Sequence, residues 1–180
     1  MLNAKYLIYN PDAPPLVNSH ALGNAWFVTK PLFAANPNLE LAGVNTIDPA
    51  KEAIISNSFG ALVKDRDYPG SAGDTIMLAS YQPNELVYKS HTGEERIAVF
   101  SEIYYPAGWK FFIDGKETPY FRADFVLRAA MIPAGDHEIR FLFDPSSYRT
   151  GNKVSLASSI LLILLLAGYF TLPLVRKNKK

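Results

Sequence analysis

Between residues 75 and 144 the chain alternates apolar and polar positions in short runs separated by Gly, Pro and Asn, the period of strands with one buried face. The pattern predicts strands at 76–81, 85–90, 96–104, 109–113, 120–132 (with a bulge) and 137–143. Trp109, Phe111 and Ile113 fall on one face, as do Phe125, Leu127, Ala129 and Met131, and again Ile139, Phe141 and Phe143. These are the expected core faces. Asp114-Gly115 supplies the positive-φ pair of a type I′ hairpin, and Pro133-Ala134-Gly135-Asp136 a further reversal. Strand follows turn throughout with no helical period between, which predicts an antiparallel β-sandwich.

The first 70 residues are less regular. Short strands are expected at 6–9, 25–29 and 53–56, with the Pro-rich stretch 11–15 extended between the first two. A short helix is expected at 38–45, and Asp48-Pro49-Ala50 resembles an N-cap with Pro at the first helical position. Residues 64–73, which hold Asp65, Arg66, Asp67, Pro69, Gly70 and Gly73, read as a solvated loop.

From Val154 to Val175 the pattern changes: 22 consecutive residues carry no charge and 16 of them are apolar. As a helix this run is about 33 Å long, enough to cross a hydrocarbon core of about 30 Å. Arg176-Lys177-Asn178-Lys179-Lys180 follows at once, and basic residues beside a span stay on the cytoplasmic side. The predicted organisation is therefore mainly β: a small α+β N-terminal lobe at 1–70, an antiparallel β-sandwich at 71–146, a juxtamembrane linker at 147–153, one transmembrane helix at 154–175, and a cytoplasmic basic tail at 176–180. The N-terminal domain is expected to be extracytoplasmic and the lipid bilayer a partner.

That orientation needs a means of export, and Met1-Leu2-Asn3-Ala4-Lys5-Tyr6 has no basic region followed by an apolar stretch. The expectation is a chain that continues a longer membrane protein, whose earlier spans deliver the domain. A tail-anchored cytoplasmic protein is the rival, and it runs against the charge rule.

Charge and composition narrow the function. The net charge is +1, with 18 Lys+Arg against 17 Asp+Glu, which supplies no field for neutralising phosphates, so nucleic acid is not an expected partner. The chain has no Cys, which removes disulfides, thiolate metal sites and a Cys nucleophile. His20, His91 and His137 are scattered rather than spaced as metal ligands. Asp65 and Asp67 form a D-x-D, a spacing that can hold a divalent metal, but Lys64 and Arg66 flank it and a solvated charge cluster is the simpler reading. No G-x-S-x-G, P-loop or G-x-G-x-x-G occurs. No catalytic residue, metal or cofactor is assigned. The aromatic cluster around 104–125 is the one surface with candidate chemistry, because flat rings on a β-sandwich stack on sugar faces while neighbouring polar groups bind hydroxyls. Tyr104, Tyr105, Tyr120 and Arg122 are the candidate glycan contacts.

The run from Phe100 through Tyr104-Tyr105-Pro106-Ala107-Gly108-Trp109, then Phe112-Ile113-Asp114-Gly115-Lys116, Leu127-Arg128-Ala129 and Ile132-Pro133-Ala134-Gly135-Asp136, resembles the C-terminal region of the bacterial YfhO-like membrane protein family. Lys5-Tyr6-Leu7-Ile8, Gly23-Asn24-Ala25-Trp26 and the final span fit the same pattern. The resemblance implies a polytopic parent in the cytoplasmic membrane, similar to glycosyltransferases that use lipid-linked sugars, with the remaining transmembrane helices and cell-envelope glycan as further partners. It places the catalytic carboxylates on a loop near earlier spans, so none is carried over to this chain. The function expected is a non-catalytic accessory domain with the last span of such a protein. The alternative is a self-sufficient membrane-anchored binding or assembly module.

Overall fold

The computed structural model describes the backbone of residues 1–177 and the side chains of residues 1–169. The chain divides into two compact units, Met1–Phe143 and Asp144–Lys180. The first contains strands β1 (Tyr6–Leu7), β2 (Leu16–Val17), β3 (Ala25–Val28), β4 (Lys30–Ala34), β5 (Glu52–Ser56), β6 (Thr75–Gln82), β7 (Glu85–Thr92), β8 (Arg96–Ile103), β9 (Trp109–Ile113), β10 (Lys116–Glu117), β11 (Phe121–Ala123), β12 (Leu127–Ile132) and β13 (Gly135–Phe143), with helix α1 (Pro37–Val44). A five-stranded sheet has the order β10-β9-β13-β7-β6, a six-stranded sheet the order β3-β8-β12-β11-β5-β4, and β1 pairs with β2 alone. All pairings are antiparallel except β4 with β5, which run parallel on either side of α1. The mainly β, antiparallel, sandwich-like fold read from the alternation is what the chain adopts.

The six-stranded sheet is buried on both faces. Ala98, Phe100, Ala130 and Ile132 face Leu86, Tyr88, Phe111, Ile139 and Phe141 of the five-stranded sheet. On its other face Ile97, Val99, Ala123, Leu127 and Ala129 pack with Trp26, Val28, Ile55, Val63, Tyr68 and Phe121. This explains why residues 96–100 of β8 are buried without alternation, as strands covered on two sides are.

Several local expectations change. The α+β character of residues 1–70 is a single β4–α1–β5 unit, and its strands belong to the six-stranded sheet beside β11, so these residues are a part of the sandwich rather than a lobe of their own. Asn36 caps α1, its Oδ1 accepting from Leu39 N at 3.0 Å, and Pro37 sits in the first turn. Asp48-Pro49-Ala50 starts only a turn, closed by Lys51 N and Glu52 N donating to the Asp48 carbonyl at 2.9 and 2.8 Å. The 64–73 loop is anchored, not wholly solvated: Tyr68 is fully buried, its N donates to Thr29 O at 2.7 Å, and Arg66 lies 4.5 Å over its ring.

The expected long strand 120–132 is two strands joined at Asp124-Phe125-Val126. Asp124 and Phe125 have φ of 49° and 70°, a sparse region for non-glycine residues and an unlabelled one in the sequence. The reversal is held by Asp124 N donating to Ile54 O (2.8 Å) and by Glu40 Oε1 accepting from Phe125 N (3.1 Å). Asp114-Gly115, with φ of 50° and 77°, does form the tight hairpin, Ile113 pairing with Lys116. Pro133-Ala134 instead carries the chain from one sheet to the other, since β12 and β13 lie in different sheets.

The second unit is the helix α2 (Ser146–Lys177). The linker expected at 147–153 is already helical. Residues Ser146–Tyr169 are long and apolar enough to cross a membrane. Of the expected tail 176–180, residues 178–180 and the side chains of Arg176 and Lys177 lie outside the described residues.

Candidate functional site

The candidate site is built where β8 ends and β9 begins. After Ile103 the chain turns through Tyr104-Tyr105-Pro106-Ala107-Gly108, and the φ of 103° at Gly108 is one that only glycine adopts readily. Tyr104 N donates to Val126 O at 2.7 Å, which fixes the loop against the β11–β12 connection. The Tyr104 ring then meets Phe59 edge-on at 6.0 Å and Tyr120 at 5.3 Å. Tyr120 continues inward to Phe141 at 5.5 Å and Phe111 at 6.0 Å, its hydroxyl 3.5 Å from the carbonyls of Tyr105 and Trp109. Tyr105 is exposed. The result is a line of rings running from the surface into the inter-sheet core. Burial raises the pKa of Tyr104 and of Tyr120, so both hydroxyls stay protonated and able to donate.

Tyr104 and Tyr120 are in contact, Tyr105 shares their loop, and Arg122 is committed elsewhere. The Arg122 Nη2 donates to Glu40 Oε2 at 2.8 Å, with Glu40 fully buried in α1, and its guanidinium lies 5.7 Å from the Phe125 ring. The guanidinium that sits among the rim's inner rings is Arg128, which the sequence reading did not single out. It lies 4.2 Å from the Trp109 ring and 5.0 Å from Phe141, its Nε donates to Ile103 O at 3.0 Å, and its Nη1 is buried without a hydrogen-bond partner. Burial lowers its pKa while Glu102 opposes that effect; in turn burial raises the pKa of the Glu102 carboxyl and Arg128 pulls it back. A signal for Arg128 was present: it is the one charge on the strand face shared with Ala130 and Ile132. Trp109, expected in the core, is only half-buried, its ring against Phe143 at 5.2 Å and over Arg128.

This arrangement offers ring faces and tyrosine hydroxyls, groups that hold a hydroxylated ring, with the Arg128 guanidinium buried beneath them. It offers no nucleophile set beside a base. Asp65 lines a cavity of about 620 Å³ with Phe33, Asn57, Gly60, Val63 and Lys64, while Asp67 is exposed outside it. Among the described residues no three His, Asp or Glu side chains are grouped to hold a metal. Asp124 is buried, its Oδ1 accepting from Ile54 N at 2.8 Å, and burial pushes its carboxyl up to about 6.

His20 is exposed, His91 is exposed with its Nδ1 2.8 Å from Asp136 Oδ1, and His137, less exposed, is a clamp. Its Nδ1 is 2.6 Å from Asp114 Oδ2 and its Nε2 3.2 Å from Ala134 O, so both bonds form together only when both nitrogens carry protons. The hydrogen bond to Asp114 raises the His137 pKa above its ordinary 6.5 and lowers that of Asp114 below its ordinary 3.8. A raised imidazole stabilises the fold fully below its unfolded pKa and loses that contribution as pH rises through the folded one; the depressed carboxyl contributes above its unfolded pKa and fails in acid. His137→Gln is therefore expected to lose stability near pH 6 and little above pH 9, as read by urea midpoints across pH. An unchanged difference at the two pH values would contradict the clamp. Compared with protein-family models, curated proteins and solved structures, the chain matches none.

Proposed function

We propose that this chain is the membrane-anchored, extracytoplasmic β-domain and last span of a larger cell-envelope membrane protein of the YfhO-like, glycosyltransferase-like kind. In this reading the domain positions a glycan at its aromatic rim and leaves the chemistry to the remaining spans. The observation that carries the reading is α2: its aliphatic side chains from Leu156 to Leu166 are at least half exposed on every side of the helix. A helix apolar all round has no use for water on any face, and lipid or other spans must cover it. The basic tail supports a cytoplasmic C-terminus. The rim supports glycan contact through exposed Tyr105 and half-buried Tyr104, Trp109 and Tyr120, which hold ring faces at low entropic cost.

The test is to purify the 180-residue chain in detergent, assay it with polyprenyl-phosphate sugars and divalent metal, and titrate it with soluble envelope oligosaccharide while following Trp fluorescence. The expected result is no turnover and a weak, saturable fluorescence change that Tyr105→Ala removes without altering the melting temperature. Turnover abolished by Asp65→Ala or Asp67→Ala would overturn the reading and make the D-x-D a metal site.

A further inference from the structure

The first residues of the chain form the smallest of the three sheets and display nearly all of their apolar side chains. Tyr6 pairs with Val17 and Leu7 with Leu16. Asn18 ties the base of the ribbon, its N donating to Lys5 O at 2.8 Å and its Nδ2 to Ala4 O at 2.9 Å. Successive strand residues point to opposite faces, yet Tyr6 (64%) and Leu7 (38%), Leu16 (58%) and Val17 (74%) are all exposed, and Ile8 (72%) and Tyr9 (78%) extend the run. The ribbon is thus apolar on both faces with neither face packed. A lone two-stranded hairpin is marginal in water even with one face covered, and a contiguous apolar surface of this kind marks an interaction site. Upstream, the same segment forms one wall of an apolar groove of about 260 Å³, its Met1 and Leu2 facing Leu41, Val44 and Phe125 among others, and Ser101 Oγ donates to the Met1 carbonyl.

We propose that the β1–β2 hairpin lies side-on in the boundary between headgroups and acyl chains of a lipid bilayer. The inference rests on the reading of α2 as a span, because a chain already held at a membrane meets lipid at high effective concentration, whereas any other apolar partner has to arrive by diffusion. Composition fits that layer: two tyrosines with Leu7, Ile8, Leu16 and Val17, and between residues 5 and 17 only Lys5 and Asp12 carry charge. Depth follows from the backbone. A ribbon with two paired positions per strand leaves its outer N–H and C=O groups unpaired, which the hydrocarbon core does not tolerate. The turn is polar, with Asp12 N donating to Asn10 Oδ1 at 3.0 Å, so the tip stays in water and the ribbon's flank enters the interface.

The cysteine-free sequence makes the test direct. The full chain is placed in nanodiscs of zwitterionic phospholipid and an environment-sensitive fluorophore is attached to single cysteines at four exposed positions, Ile8→Cys, Val17→Cys, Ser71→Cys and Leu162→Cys. Positions 8 and 17 are expected to show blue-shifted emission, loss of quenching by aqueous iodide and quenching by a lipid spin label placed near the headgroup. Position 162 should be quenched by a label deep in the acyl chain, and position 71 by iodide alone. If position 162 reports lipid while 8 and 17 behave like 71, the hairpin inference is wrong, the anchor stands, and the ribbon's partner is a protein. If position 162 itself reports water, the anchor reading fails and takes the inference with it.

Discussion

Phe141→Ala is expected to destabilise the β unit by about 3 to 5 kcal/mol, the range for truncating a buried Phe, out of a total of about 5 to 15 kcal/mol for a domain. Phe141 is fully buried where the two sheets meet. Its ring contacts Phe111 at 4.7 Å, Phe100 at 5.0 Å, Tyr120 at 5.5 Å and Tyr88 at 6.4 Å, and Arg128 stands 5.0 Å above it. Removing it opens a cavity bounded by rings on both sheets, which cannot collapse without moving the strands. It also removes the inner ring against which Tyr120 packs. Urea unfolding of the full chain, followed by Trp fluorescence, should show a large fall in midpoint for Phe141→Ala, a smaller one for Trp109→Ala, and a shift of no more than about 0.5 kcal/mol for exposed Asp67→Ala. Equal effects at Trp109 and Phe141 would mean that the rim, not the inter-sheet ring cluster, is the centre of the core.

Asp74→Ala should cost about as much, roughly 3 to 5 kcal/mol, for an electrostatic reason. The Asp74 carboxylate accepts from Ser71 N at 2.9 Å, Gly93 N at 3.0 Å and Arg96 Nη1 at 2.6 Å, and the Asp74 and Arg96 side chains are only 6% and 4% exposed. Loss of the carboxylate leaves a buried guanidinium whose Nε already lacks a partner and whose remaining bond, to Val28 O, is long at 3.4 Å. Gly70 packs against the same guanidinium, a Cβ there meeting Nη1 at 2.5 Å, so the 70–74 loop should loosen as well. The double variant Asp74→Leu with Arg96→Met should regain most of the loss, because an apolar pair of similar volume strands no charge. The hydrogen bond from Ser71 N, with those from Gly93 N and Arg96, holds the Asp74 pKa below its ordinary 3.8. Its contribution is therefore present above the unfolded pKa and lost as pH falls through the lowered one. Failure of the double variant to recover would show that the loop needs the ion pair for its geometry.

What the sequence disclosed and what it hid divide along a physical line. Alternation located β6, β7, β9 and β13 to within a few residues because each has at least one polar or exposed flank, β8 showed instead as a continuous apolar run between polar residues, and Asp114-Gly115 announced its hairpin because two positive φ values need such residues. The Asp124-Phe125 reversal was invisible: its backbone conformation is held by partners distant in sequence, Glu40 on α1 accepting from Phe125 N and Ile54 on β5 donating its N–H to the Asp124 carboxylate. The 64–73 loop misled through its charges, since burial there depends on Tyr68 and on a carboxylate, Asp74, that sits just beyond the loop. Membership of β3, β4 and β5 in the larger sheet is a matter of pairing between distant segments, which periodicity does not encode. At the rim the rings were legible as a cluster, but the partner of each arginine was not. Arg122 turns to a glutamate 82 residues away, and Arg128 fills the place among the rings.

Topology is the most direct test of the account as a whole. Single cysteines introduced by Ser71→Cys and Asn178→Cys into the otherwise cysteine-free chain are exposed to a membrane-impermeant thiol reagent in intact cells. A β-domain held outside by its last span predicts labelling at position 71 in intact cells and at position 178 only after permeabilisation. Labelling of position 178 in intact cells with position 71 protected would contradict it.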